Sequence, residues 1–334
     1  MEDVVTLRGR RALVTGAYGL VGCWLIKALL DAGAEVVALR RDRAAVSALA
    51  LEGLEERVTV VHGDCRDQPL LERTLAGYGV DTVFHLAAET IVGVSRRSPV
   101  STFESNVRGT WVVLEACRRQ GVGRVVVAAS DKAYGGPGAP YREDQALRPV
   151  YPYDVSKAAA DLIARAYWHT YGLPVAVTRF ANVYGGGDLH ASRLIPEVVA
   201  AVLAGRAPVI RSDGTPERDY LYAEDAAAAY LAICRALDDG GARGEAFNAG
   251  TGRPHSVLEV VELVARAAGV DVEPDVRGDG TPEGEIARQY VDSTKLTELT
   301  GWRPRVALEE GLRRTVRWYR RHPEALRRAE PPPA

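Results

Sequence analysis

The chain predicts an α/β protein: a doubly wound parallel sheet with a smaller C-terminal α/β lobe interleaved with it. Short apolar, β-rich runs alternate with amphipathic segments over residues 1–180. A glycine-rich turn joins the first such run to the first amphipathic segment. Beyond residue 180 the rhythm breaks into glycine- and charge-rich connections.

The strand candidates are "RRALVTG", "EVVALR", "RVTVVHGD", "VDTVFHLAA", "GRVVVAAS" and "LPVAVTRF". They are continuously apolar rather than alternating, as strands buried on both faces of a parallel sheet require. "LVGCWLIKALLDAG" follows the first as a helix. Further on, "APVIRSD" reads as a short strand and "RDYLYAEDAAAAYLAICRAL" as one helix. "HSVLEVVELVARAAG" opens with a capping box, Ser256 and Glu259. The expected division is a first domain over 1–180, to which 217–250 return. A second lobe takes 181–216 and 251–325, and 326–334 is a frayed, proline-rich tail.

With 334 residues, 47% hydrophobic and 26% charged, the chain is long enough to bury a substantial core. The formal charge of −2 gives no basic footprint for nucleic acid or a membrane surface. No apolar stretch approaches the ~20 residues of a membrane span, and "MEDVVTLRGR" lacks the apolar core of a signal peptide. A cytoplasmic location is the expectation. Cys23, Cys65, Cys117 and Cys234 are scattered without metal-ligand spacing, so no metal is expected.

In "VTGAYGLVG", Gly16, Gly19 and Gly22 stand between strand and helix, with Tyr18, Leu20 and Val21 in the same turn. Missing side chains there let backbone and helix N-terminus approach a pyrophosphate. Asp64, followed by Cys65, ends the third run, where a carboxylate can accept from an adenine amino group. Leu86, Ala87 and Ala88 end the fourth, where small residues admit a flat nicotinamide. The second run ends in Arg40 and Arg41 instead of the usual acid. Arginine there pairs with a 2′-phosphate, which tilts the expectation to NADP over NAD, although Asp42 stands within reach of a ribose.

Tyr153 and Lys157 in "YPYDVSKAAADLIARAYW" are four apart, hence on one helix face. A cation beside a phenol favours the phenolate and makes Tyr153 a base for an alcohol. Ser130, at the end of the fifth run, is placed to hold the same oxygen.

The Thr-Gly and glycine turn, "HLAA", "NVRGT", Ser130 and YxxxK, in that order over most of the chain, resemble the extended short-chain dehydrogenase/reductases, specifically the NAD(P)-dependent nucleotide-sugar epimerases and dehydratases. The resemblance implies a Rossmann domain that holds NAD(P) tightly, with Asn106 among its cofactor residues, and a nucleotide-diphosphate sugar as substrate. It also implies a homodimer built on helices near 104–119 and 151–170. Tyr153 would take the sugar 4-OH proton, Lys157 would bind ribose and assist, and Ser130 would orient the 4-oxygen. Thr90, Asn182, Arg193 and Arg218 would contact the substrate. Related epimerases often carry an arginine near "TPEGEIARQYVD", a vicinity that Glu283 and Glu285 occupy in this chain.

Reaction type is written in "AASDKAYGG". Dehydratases of this family place an acid and a base directly after the Ser or Thr, and here these positions hold Asp131 and Lys132. Lysine in second place, "GCWL" and "GGGDLHASRLIPE" resemble the CDP-glucose 4,6-dehydratases. Asp131 would then be the acid at the C6 hydroxyl, and Lys132 would occupy the base position. "RSDGTPERDYLYAED" looks more like an epimerase acting at C4 or C2, which is the alternative. A non-catalytic NAD(P)-binding sensor would have no need of Ser130, Tyr153 and Lys157.

Overall fold

The structure, a computed structural model, describes residues 7–42, 46–281 and 286–326. The expectations for Glu283, Glu285 and the tail from residue 327 lie outside them. The strands are β1 (Arg11–Thr15), β2 (Glu35–Arg40), β3 (Thr59–His62), β4 (Thr82–His85), β5 (Arg124–Ala128), β6 (Val175–Phe180), β7 (Asn182–Tyr184), β8 (Val209–Ile210), β9 (Glu217–Tyr222), β10 (Ala246–Ala249), β11 (Pro254–Ser256), β12 (Asp275–Val276) and β13 (Arg288–Gln289). Seven of them form one all-parallel sheet in the order β10-β6-β5-β4-β1-β2-β3. Its central strands are buried on both faces, as their unbroken apolar runs require.

Helices close both faces. They are α1 (Leu20–Asp31), α2 (Ala48–Leu51), α3 (Gln68–Gly77), α4 (Val92–Arg97), α5 (Pro99–Phe103), α6 (Gly109–Gln120), α7 (Pro152–Tyr171), α8 (Leu194–Leu203), α9 (Ala223–Asp238), α10 (Val257–Ala268), α11 (Thr294–Thr300), α12 (Leu308–Arg321) and α13 (Pro323–Leu326). α1 and α9 bury Leu25, Ile26, Ala229 and Ile233 on one face of the sheet. α3, α6 and α7 bury Leu71, Val113 and Ala164 on the other. The alanines of α9 let it lie close against α1.

Strand order reverses between β4 and β1, which opens a crevice at their C-terminal ends, Thr15 beside His85. Over that end sits a second sheet around β9, which pairs with β7 and β13 in parallel and with β11 antiparallel. The segment read from sequence as one helix is therefore divided. Glu217–Tyr222 are strand, and the helix begins at Ala223. Three partner strands, together with the Asp219 carboxylate accepting from the amides of Thr251 and Gly252, hold "RDYLY" extended. "APVIRSD" shortens to β8.

α8, α10 and α12 pack beneath this lobe through Val198, Val261, Val264 and Leu312. The capping box forms as expected: Glu259 N donates to Ser256 Oγ and Ser256 N to Glu259 Oε2, at 3.1 and 2.8 Å. Such a cap stabilises a helix by about 1 kcal/mol.

Candidate functional site

At the crevice, Gly16 has φ +71°, and a Cβ there would lie 2.7 Å from the Ala87 amide nitrogen. A Cβ on Gly22 would lie 2.2 Å from the Gly16 carbonyl oxygen. Both glycines are thus required by the protein's own packing. Gly19 is not, since a Cβ there meets nothing nearer than 3.5 Å. Gly19 also caps α1 without a side-chain bond, and no acidic residue stands in the first turn. Bare amides at a helix N-terminus, beside a glycine the protein does not itself demand, fit a pyrophosphate.

Behind this turn, Thr15 Oγ1 accepts from the amides of Leu86 and Ala87 at 3.2 and 3.1 Å and meets His85 Nδ1 at 2.8 Å. The hydroxyl's one hydrogen therefore goes to Nδ1, leaving Nε2–H to donate to Thr110 Oγ1. Burial pushes the imidazole down to about 3, so it stays neutral and fixes the floor under Leu86 and Ala87; Ala88 follows, half-buried. Asn106 spends its amide within the chain, accepting from Glu89 N and donating to Glu89 O and Ser156 Oγ. It braces the segment after β4 against α7.

At the end of β2, Arg40 stacks on the Tyr18 ring at 4.6 Å and pairs with Glu55 at 2.5 Å, while Tyr18 also donates to Glu55. Arg41 pairs with Asp42 at 2.7 Å. Both arginines expected to meet a 2′-phosphate thus already carry carboxylates, and Glu55 was not foreseen. Asp64 is held by Arg66, whose hydrogen bonds keep its carboxyl below the usual range. Burial pushes the neighbouring Cys65 thiol up to about 12, so it is inert packing.

The catalytic candidates converge at the C-terminal end of β5. Ser130 caps the short turn 131–134, its Oγ accepting from Lys132 N at 3.2 Å and donating to Asp131 Oδ1 at 3.1 Å. Asp131 is buried, its Oδ2 has no hydrogen-bond partner among the described residues, and desolvation pushes its carboxyl up to about 6 against the pull of Lys132. From the N-terminal turns of α7 come Tyr153 and Lys157. Lys157 Nζ donates to the Ala128 carbonyl at 2.8 Å, and burial pushes its ammonium down to about 8. Burial pushes the Tyr153 phenol up to about 12, with Arg193 pulling the other way.

All five of these residues line one cleft of about 1010 Å³. Leu20, Val21 and Leu86, expected at the cofactor, and Thr90, Asn182, Arg193 and Arg218, expected at the substrate, line the same cleft. Arg193 bridges Asp188 and Thr90, at 3.1 and 2.9 Å, so two substrate candidates from distant segments touch. Arg96 and Arg211, not singled out from sequence, add cations to the same wall. What this assembly offers is chemically defined: a phenol, a buried carboxyl and two amines stand in one cleft with arginines that suit a diphosphate, next to a glycine turn that fits a pyrophosphate.

The family model of NAD-dependent epimerases/dehydratases matches residues 12–250. The chain is 34% identical over 322 residues to a dTDP-glucose 4,6-dehydratase of Streptomyces niveus, covering 93% of each. It is 35% identical over 316 residues to a UDP-glucose 4-epimerase of Mycolicibacterium smegmatis, covering 93% of this chain and 98% of that one. Among solved structures, DesIV, a dTDP-glucose 4,6-dehydratase of Streptomyces venezuelae with NAD and TYD bound, superposes with a TM-score of 0.84 at 35% identity, covering 93% of this chain and 97% of that one. With the glycine cradle, the serine, tyrosine and lysine, and the facing arginines in place, the chain belongs to the NAD-dependent epimerase/dehydratase family.

Proposed function

We propose that the protein is a nucleotide-sugar 4,6-dehydratase, converting an NDP-hexose to its 4-keto-6-deoxy derivative and water. The observation that carries this is the Asp131 carboxyl: buried, with one oxygen unpartnered among the described residues, and raised to about 6, it is poised to give up a proton near neutrality. When bound, the nicotinamide supplies reversible hydride acceptance, from sugar C4 and back to C6. Tyr153 takes the 4-OH proton, which requires the charge of Lys157 to draw down a phenol that burial raises to about 12, and Ser130 holds the 4-oxygen. With a ketone at C4, the C5 proton is acidic, and Lys132 removes it. Asp131 protonates the departing 6-OH, and the C5 proton returns from Lys132. Tyr153 then holds one proton too many and Asp131 one too few. The Ser130 hydroxyl, already bonded to Asp131, stands between them as the relay.

The cleft's far end supports a diphosphate at Arg193 and Arg218, and the motif resemblance supports CDP as the nucleotide. NAD as cofactor is supported by the carboxylates on Arg40 and Arg41. Phe103, Trp111 and Leu162, exposed by 37%, 43% and 57% on α5, α6 and α7, support the homodimer. A cytoplasmic location remains our reading; no helix among the described residues is long and apolar enough to cross a membrane.

An epimerase is the second reading, favoured by the 35% identity to a UDP-glucose 4-epimerase. Incubation with a panel of NDP-hexoses in deuterated water separates the two. A 4-keto-6-deoxy sugar labelled at C5 is expected, whereas an epimer that keeps its 6-oxygen would overturn the reading. Absence of any turnover would point to a non-catalytic binder.

A further inference from the structure

Lys132 is held from the other lobe. Gln289 lies on β13, in register with Arg218 of β9, and its side chain is fully buried. Its Oε1 accepts from Lys132 Nζ at 3.4 Å. Its Nε2, like Asp131 Oδ2, is buried without a hydrogen-bond partner among the described residues. An unsatisfied buried donor costs stability, so stability alone would favour an apolar residue here.

The charged groups facing Lys132 are Asp131 on its own turn and Asp154 on α7, with Arg218 and Asp219 of β9 acting on Asp131 and Arg96 of α4 on Asp154. A carboxylate at position 289 would add a fixed negative charge against the amine, whereas an amide oxygen accepts from –NH3+ and –NH2 alike. We propose that Gln289 is a positioning residue for Lys132, an uncharged acceptor that aims the amine while leaving it free to exchange a proton with sugar C5. The inference rests on the dehydratase reading, which makes Lys132 the C5 base. It also ties the two halves of the site together. Gln289 and Arg218 are register partners, so the strand pair that presents a cation to the diphosphate also sets the base.

The test compares full-length wild type with Gln289→Glu and Gln289→Met, measuring C4 oxidation by reduced-cofactor absorbance and C5 proton removal by deuterium uptake, both against pH. In Q289E the basic limb for C5 exchange is expected to move up by about one pH unit or more, with exchange at pH 7 falling about tenfold. C4 oxidation is expected to change less than about twofold, a split that a purely structural role would not produce. Q289M, which keeps the bulk but offers only a weak acceptor, is expected to lose about tenfold in exchange without that shift, and it carries the test if Q289E does not fold. An unmoved limb in folded Q289E, full exchange in Q289M, or equal loss of both steps would overturn the proposal. Failure of the wild type to form any 4-keto-6-deoxy sugar would sink the dehydratase reading instead.

Discussion

Ser130 donates its hydroxyl to one oxygen of Asp131 at 3.1 Å, and the other oxygen is buried without a partner among the described residues. The carboxyl, raised to about 6, loses its acid form as pH rises through that value. Elimination is therefore expected to fall above about pH 6 while C4 oxidation does not follow it. Asp131→Asn keeps the bond from Ser130 but has no proton to give. It is expected to slow water loss by about 10²–10⁴ and to accumulate reduced cofactor, read at the nicotinamide absorbance. Equal loss of both steps would make Asp131 structural.

The same shift fixes a stability prediction. Because Asp131 binds its proton more tightly folded than unfolded, the stability it contributes is fully present below about pH 3.8 and is lost as pH rises through about 6. Asp131→Asn removes that cost. The variant is expected to be more stable than wild type by roughly 2–3 kcal/mol at pH 8 and by nothing near pH 4, measured by urea denaturation.

Glu55 decides the use to which Arg40 is put. Wild type is expected to bind NADH at least about tenfold more tightly than NADPH, since a 2′-phosphate would meet the Glu55 charge. Glu55→Gln frees the guanidinium and is expected to narrow that ratio about tenfold, followed by cofactor fluorescence on the stripped enzyme. An unchanged ratio would leave selection to other groups.

Arg179 is fully buried on β6 and grips Asp161 of α7 through two bonds of 2.7 and 3.0 Å, while also donating to the Tyr134 hydroxyl. Removing one charge strands the other. Asp161→Asn is expected to cost about 3–5 kcal/mol, and Arg179→Met with Asp161→Leu to recover part of it, both read by denaturation.

The exposed Phe103, Trp111 and Leu162, on three different helices, give a simple expectation. Trp111→Glu with Leu162→Glu should convert a dimer to a monomer by light scattering. A wild-type monomer would remove the basis for that assembly.

What could be read before the structure was local. Gly16 and Gly22 announce themselves because a tight turn leaves no room for a Cβ, and Tyr153 and Lys157 because one helical turn sets their spacing. Six of the sheet's seven strands, all but β10, followed from unbroken apolar runs. The start of α9 did not, because "RDYLY" is held extended by β7, β11 and β13, none adjacent to it in sequence. Glu55 and Gln289 were silent for the same reason. One reaches Arg40 across 15 residues and the other reaches Lys132 across 157, and neither stands in a pattern with its partner.

The turn capped by Ser130 is four residues long and seated on a strand whose burial does not depend on it. In the proposed reading its serine serves the oxidation at C4, and the two positions after it, Asp131 and Lys132, lie in the turn and not in the sheet. On that reading, divergence between isomerase and lyase on this scaffold turns on two adjacent positions and a neighbour to support them. A dehydratase at 34% identity and an epimerase at 35% then stand at equal distance from one chain because overall kinship records the shared frame, and the chemistry is inherited separately from it.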